Sequence, residues 1–353
     1  TGRRIARAMM AVLRRWDDTR PITTAVSHTP EKASVMELVD LIGINYNLQD
    51  FDKLHEKFQG KPILSSENCA TGTTRGWYRA DAPEWGYINA FDRNTNSQFL
   101  SREGTWRFFR ARPWVAGGFQ WAGIEHRGET VWPRLCSQSG ALDLFLQRKD
   151  AFYQNQSLWT VNPMVHLLPH WNWPGHEGMP VRVWAYTNCD RVELLLNGEP
   201  MGAREVDPFS HAEWEVPYKP GLLEAKGFVK GALVCEDKVE TTGAPACLRL
   251  RLESDGVRAD GRDVAIVTCD CLDAQGRPVP TASPLVSFAA NELGTIAGTG
   301  SSVADHVPIT CPQRRMYAGL ISVLVRVKNS KGTLRVTAEA QGLRPALLSI
   351  ELS

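Results

Sequence analysis

Pro62-Ile63-Leu64-Ser65-Ser66-Glu67 is a short apolar run that closes on a carboxylate, and its flanks decide the fold. Upstream, Val39-Asp40-Leu41-Ile42-Gly43-Ile44-Asn45-Tyr46 reads as a strand buried on both faces, and Ile22-Thr23-Thr24-Ala25-Val26, opened by Pro21, as a shorter one. Downstream, Trp114-Val115-Ala116-Gly117-Gly118-Phe119-Gln120-Trp121 is a fourth. Helical patterns run over Ile5 to Trp16, Phe51 to Phe58 and about Phe99 to Arg110. Strand and helix alternating at this spacing predict parallel strands with crossover helices. Four strands are half of what a (β/α)8 barrel needs, so residues 1–162 are expected to form the C-terminal half of such a barrel, with the first half upstream of Thr1. In barrels of this kind chemistry sits where strands end on the C-terminal face, and Tyr46, Glu67 and Trp121 each close a strand.

Beyond about residue 163 the helical pattern stops. Val181 to Tyr186, Arg191 to Leu196, Trp214 to Tyr218, Leu222 to Val229 and Val234 to Glu240 read as strands, and Asn197-Gly198 as a hairpin turn. They predict a β-sandwich over residues 163–244. Clean alternation at Leu248 to Leu252, Val264 to Thr268 and Leu320 to Val327, followed by Thr333 to Ala338 and Ala346 to Leu352, predicts a second, immunoglobulin-like sandwich over 245–353.

Forty basic and 39 acidic side chains leave a formal net charge of +1, which gives no electrostatic reason to expect nucleic acid or an anionic membrane as partner. No apolar stretch approaches the roughly 20 residues that span a bilayer. The arginine pairs Arg3-Arg4 and Arg14-Arg15 read as a solvated helix face. The eight cysteines lack zinc-ligand spacing and are expected to be mostly free, buried thiols, Cys269 and Cys271 included, since these share one strand face. The chain opens directly into a helix without Met, so a segment is expected to precede it. Twelve tryptophans offer flat apolar platforms that suit sugar rings but also fill cores.

Glu67 is the sharpest candidate for chemistry. A carboxylate closing a buried strand costs free energy unless it is paired or used; the competing reading is a structural ion pair. Pro62 to Asn68, with Thr74-Arg75-Gly76-Trp77-Tyr78, resembles the nucleophile segment of glycoside hydrolase family 2 β-galactosidases. Asp18 to Thr23 and Asp40 to Tyr46 resemble the family's two preceding strand entries, and Gly118 to Glu129 its last barrel strand and loop. Pro169-His170-Trp171-Asn172-Trp173 and Asn188 to Gly198 resemble the sandwich that follows the barrel in one bacterial branch. The resemblance implies a retaining glycosidase that cleaves terminal β-D-galactosides by double displacement. Glu67 is then the nucleophile, Tyr46 its hydrogen-bond donor (or a core tyrosine) and Trp121 a wall of the sugar site (or core packing). Asn45, Arg75 and Glu129 are further sugar-contact candidates, each also readable as a loop hydrogen-bonder or surface charge.

The family's acid/base glutamate follows an asparagine on an earlier strand, and no such pair precedes the first helix here. Asn291-Glu292 lies in the second sandwich's β pattern and reads as coincidence; Glu37, Glu125 and Glu129 come from the wrong strands to replace it. The chain alone is therefore expected to be inactive. Glu125-His126 stands where many relatives carry Asp-Tyr, and Leu146-Gln147-Arg148 replaces a Gly-Phe-Pro element before Lys149. No protein-bound cofactor is expected, although some relatives use magnesium or sodium. The expected partners are a β-galactoside or related glycan, and the remainder of the same enzyme or another copy to cover open barrel edges. A bacterial periplasmic or secreted location is compatible with the sequence. The alternatives are a β-glucuronidase or β-mannosidase on the same scaffold, and a carbohydrate-binding or scaffold module using an exposed Trp171–Trp173 pair.

Overall fold

The structure, a computed structural model, describes residues 2–28, 30–79, 84–93 and 100–353. The first layer is a sheet of four strands in the order β1 (Ala25–Val26), β2 (Ile42–Asn45), β3 (Ile63–Asn68) and β4 (Val115–Gln120), all parallel. Every residue of β2 is buried, because both of its faces are covered. Met36, Phe51, Leu54 and Phe109 close over Ile42, Ile44 and Ile63 from α2 (Phe51–Lys57), α3 (Arg102–Arg110) and a short 3-10 turn. Ser101 caps α3 by accepting from the Gly104 N–H at 3.0 Å. The expected start of that helix at Phe99 lies outside the described residues.

In the first helix, α1 (Gly2–Trp16), Arg3, Arg4, Arg14 and Arg15 are all exposed, as expected of a solvated face. Arg3 pairs with Glu37 at 2.7 Å and Arg14 with Asp40 at 2.6 Å at the surface. Ile5, Met9, Val12 and Leu13 face outward, Trp16 is 84% exposed, and the helix buries none of its residues. On β4, Phe119 is 67% exposed. The expected β1 is also shorter than Ile22 to Val26: only Ala25 and Val26 enter the ladder, opposite Gly43 and Ile44.

The remaining strands pair antiparallel, beginning with β5 (His126–Arg127) and β6 (Cys136–Ser137) after β4. After α4 (Asp150–Trp159) come two facing sheets. One has the order β10 (Glu199–Glu205), β9 (Arg191–Leu196), β12 (Leu222–Val229), β13 (Ala232–Glu240). The other has the order β11 (His211–Pro217), β8 (Pro180–Thr187), β7 (Val165–Leu168). Val183, Leu194, Trp214 and Leu223 meet between them, with Trp171 fully buried in the same core. The expected Asn197-Gly198 turn is present, with φ of 53° and 82°, the left-handed pair that a tight hairpin requires. The second sandwich pairs β14 (Cys247–Leu252), β15 (Val264–Leu272), β19 (Leu320–Val327) and β17 (Gly294–Gly300) with a sheet of β18 (Gln313–Arg315), β16 (Leu285–Ala290), β20 (Gly332–Glu339) and β21 (Ala346–Leu352). Its core is aliphatic, around Val267, Val323, Val325 and Leu334. All eight cysteines are free thiols, six of them buried, as the sequence implied. Asn291 is used structurally: its amide donates to the Thr333 carbonyl and accepts from the Arg335 N–H. No helix among the described residues is long and apolar enough to cross a membrane.

Candidate active site

Three strand ends of the parallel sheet meet at Glu67. The Tyr46 backbone N–H donates to the Glu67 carbonyl at 2.7 Å, and the Trp121 N–H to the Asn68 carbonyl at 2.9 Å, which ties the residues after β2 and β4 to the end of β3. Between Ile44 opposite Ser65 and Asn45 opposite Glu67 the register slips, leaving Ser66 as an extra residue on β3. Such a bulge re-aims the side chain that follows it. The Asn45 side-chain oxygen accepts from the Ser66 hydroxyl at 2.7 Å and braces the bulge.

The Tyr46 phenol stands close enough to the Glu67 carboxylate for that group to act on its ionisation. Burial raises the phenol's pKa well above its ordinary value, and the Glu67 carboxylate, with the more distant charge of Glu129, pushes it further. Tyr46 therefore keeps its proton at neutral pH. Tyr46, Asn47, Cys69 and Glu129 all have left-handed φ, at 59°, 36°, 56° and 46°. Non-glycine residues rarely sit there, and such strain concentrates at functional sites. The Cys69 thiol beside them is pushed up to about 12 by burial, so it is no nucleophile.

The loop after β4 carries Trp121, His126 and Glu129. The Trp121 and His126 rings meet edge to face at 5.3 Å, and His126 Nε2 lies 3.3 Å from a Glu129 carboxylate oxygen. A buried ion pair holds this loop: Lys149 Nζ lies 2.8 Å from Glu125 Oε1 and donates to the Gln138 carbonyl at 2.8 Å. The Leu144 N–H donates to Glu125 Oε2 at 3.2 Å. Burial raises the Glu125 pKa and lowers that of Lys149, and the charge of each partner opposes both shifts. Glu125 is thereby removed as a substitute acid, and Glu37 is engaged with Arg3. Gly140 makes the arrangement possible, since a Cβ there would stand 2.2 Å from the Glu125 backbone nitrogen.

Arg75 requires a correction. Its guanidinium is buried and binds Asp143 at 2.8 Å and the Ser301 carbonyl at 3.2 Å, fastening the loop after β3 to the second sandwich. Its donors serve packing between distant chain segments, whereas sugar contact was the expectation. The exposed Trp171–Trp173 pair is also absent: Trp171 has 0% exposure and donates to the Lys219 carbonyl, leaving only Trp173 near the surface. Among the described residues, no group of three or more His, Cys, Asp or Glu side chains is arranged to hold a metal ion.

Sequence reading passed over two histidines that join the parallel layer to the first sandwich. His166 lies 2.9 Å from Asp150 of α4, which also accepts from the Tyr78 hydroxyl at 2.7 Å. His211 lies 2.7 Å from Glu103 of α3 and stacks on Trp184 at 3.7 Å. Partners so far apart in sequence leave no local signature.

Residues 248–349 match glycoside hydrolase family 2 C-terminal domain 5, and residues 178–235 match a domain of unknown function (DUF4982). The chain is 29% identical over 374 residues to the beta-galactosidase BoGH2A of Bacteroides ovatus, an alignment covering 98% of this chain and 43% of that protein. This chain belongs to glycoside hydrolase family 2. Within the family it is also 30% identical over 322 residues to a putative beta-glucuronidase of Formosa agariphila, covering 78% of this chain and 30% of that protein. The crystal structure of a beta-glycosidase from Bacteroides vulgatus superimposes with a TM-score of 0.87 at 30% identity, over 99% of this chain and 49% of that one. The chain thus spans less than half the length of these relatives.

Proposed function

We propose that this chain is the nucleophile-bearing part of a retaining β-glycosidase acting on terminal β-D-galactosides. The carrying observation is that the Tyr46 N–H ties to the Glu67 carbonyl at 2.7 Å, so that phenol and carboxylate stand together at the C-terminal ends of parallel strands. In this reading the Tyr46 phenol occupies one oxygen of the Glu67 carboxylate and orients the other at the anomeric carbon. Glu67 attacks the anomeric carbon from one face of the sugar as the glycosidic C–O bond breaks, and the aglycone oxygen leaves with a proton from the acid/base carboxyl, giving a glycosyl-enzyme. Water then gives a proton back to that acid/base and attacks the same carbon, breaking the bond to Glu67, so that the sugar leaves with net retention and the carboxylate is regenerated. Trp121 would form a wall against the ring's apolar C–H face, with His126 and Glu129 beside it.

Retention needs a second carboxyl about 5 Å from the nucleophile. Glu37 and Glu125 are engaged in ion pairs, and Glu129 is an exposed residue on the β4 loop, so the acid/base is assigned to a part of the enzyme outside these residues. The open β1–β4 layer, with the exposed apolar side of α1 and Phe119 of β4, supports the same view: residues 1–162 are half of a (β/α)8 barrel whose other half covers them. Residues 163–244 and 245–353 are then sandwich domains that pack against the barrel.

The galactoside assignment follows the relative that matches nearly the whole chain. The test uses the complete enzyme with aryl β-galactoside and aryl β-glucuronide substrates. Hydrolysis of the galactoside is expected, with Glu67→Gln lowering kcat by several orders of magnitude and a 2-deoxy-2-fluoro-galactoside labelling the Glu67 peptide. Turnover of the glucuronide alone would reassign the sugar. Persistence of activity in Glu67→Gln would remove the nucleophile assignment.

A further inference from the structure

A cleft opens where the loop after β3, the segment after β7 and the second sandwich meet. Its larger lobe has a volume of about 580 Å³ and its smaller one about 290 Å³. Tyr78, Arg79, Trp173 and His176 line both lobes, so the two share one wall. The larger lobe is within the size range of pockets that take small organic ligands, roughly 300 to 1,000 Å³. Neither lobe is lined by Tyr46, Glu67, Trp121 or Glu129.

The chemistry of the walls is specific in two respects. Trp77, Tyr78 and Trp173 present aromatic surface, and Trp173 is held in place by its own indole N–H, which donates to the His170 carbonyl at 2.9 Å. Such faces match the C–H side of a pyranose ring. The lining also carries two guanidinium groups, Arg79 and Arg182, with the imidazole of His176 and, among the described residues, no aspartate or glutamate. Arg182 is partly offset by Glu213 and Glu215, each 3.6 Å from its Nε, which leaves Arg79 and His176 as the exposed donors at the shared wall. Arg79 also lies over the Trp77 ring at 5.8 Å, so guanidinium and indole form one recognition surface.

We propose that this junction cleft binds an acidic sugar residue of a glycan chain, with its ring face on Trp173 and its anionic group on Arg79 and His176. The site is separate from the Glu67 centre and does not depend on Glu67 being a nucleophile. A carboxylate and a sulfate ester would satisfy the same donors. The complete chain is therefore titrated calorimetrically with three probes: a tetragalacturonide, a sulfated galactan tetrasaccharide and a neutral galactotetraose.

At least one acidic probe is expected to bind at least ten-fold more tightly than the neutral one, and the stronger of the two identifies the anionic group. Arg79→Ala and Trp173→Ala should each weaken that binding at least ten-fold, while Glu67→Gln leaves it unchanged. Arg79 is exposed, so its variant keeps the fold, and an unaltered Tm verifies this. No preference for either acidic probe would overturn the proposal. So would binding that survives Arg79→Ala but is lost in Glu67→Gln or Trp121→Ala, because the ligand would then sit in the catalytic pocket.

Discussion

Tyr46 holds Glu67 by its backbone N–H, which donates to the Glu67 carbonyl at 2.7 Å, and its phenol stands beside the carboxylate. The backbone bond belongs to the sheet and fixes where β3 ends. The phenol is placed to orient the carboxylate. Because a bond from that phenol goes to a charged acceptor, losing it should cost about 1.5–3 kcal/mol in the state that needs that orientation. Tyr46→Phe in the complete enzyme should therefore lower kcat roughly 10- to 100-fold with little change in Tm. Steady-state kinetics checks this; an unchanged kcat would make Tyr46 a packing residue.

The Glu125–Lys149 pair carries a different prediction. Both side chains are almost fully buried, at 0% and 1% exposure, so removing one leaves the other charge without compensation. Glu125→Leu or Lys149→Met alone should destabilise by about 3–5 kcal/mol, whereas the double variant should recover most of the loss. Thermal denaturation of the four proteins measures the coupling. Additive losses would mean that the pair is not a closed unit.

Trp171 sets the stability of the first sandwich. Its indole is fully buried, donates to the Lys219 carbonyl at 3.0 Å and meets the Tyr218 ring at 5.3 Å. Trp171→Ala should cost about 3–5 kcal/mol. Trp173→Ala, at the edge of the same segment, should cost far less, and chemical denaturation separates the two. Equal losses would contradict the placement of Trp173 at the surface.

What the sequence revealed follows from which signals are local. The buried run Ile42–Asn45 and the alternation in β9 and β11 reflect burial directly, so the strands fall where apolar periodicity places them. β10 was invisible because it is an edge strand whose residues are nearly all exposed, and its sequence Glu199–Glu205 carries no apolar face. Glu67, Tyr46 and Trp121 were legible as candidates because strand ends can be read from pattern. Arg75 misled for the opposite reason: an arginine beside a candidate site looks functional until its partner Asp143 and the Ser301 carbonyl are seen. The outward apolar side of α1 was equally hidden, since helical spacing reports that a face exists but not where it turns.

His170 makes stability depend on pH. Burial lowers its imidazole from 6.5 to about 4, against the opposing charge of Asp150, and Arg79 lowers it further. Its Nδ1 accepts from the Asn172 N–H at 3.2 Å, a bond that only the unprotonated nitrogen can make. The unfolded chain takes up this proton near pH 6.5, while the folded chain resists it until about pH 4. Above pH 6.5 the group adds no pH dependence; as pH falls from 6.5 toward 4 it destabilises the fold, by about 2–3 kcal/mol at pH 4.5. His170→Gln keeps an acceptor and removes the titration, so the fall in Tm between pH 7 and pH 4.5 should be shallower in the variant than in the parent. Parallel Tm curves would show that His170 titrates at its ordinary pKa and that the segment after β7 is open to solvent.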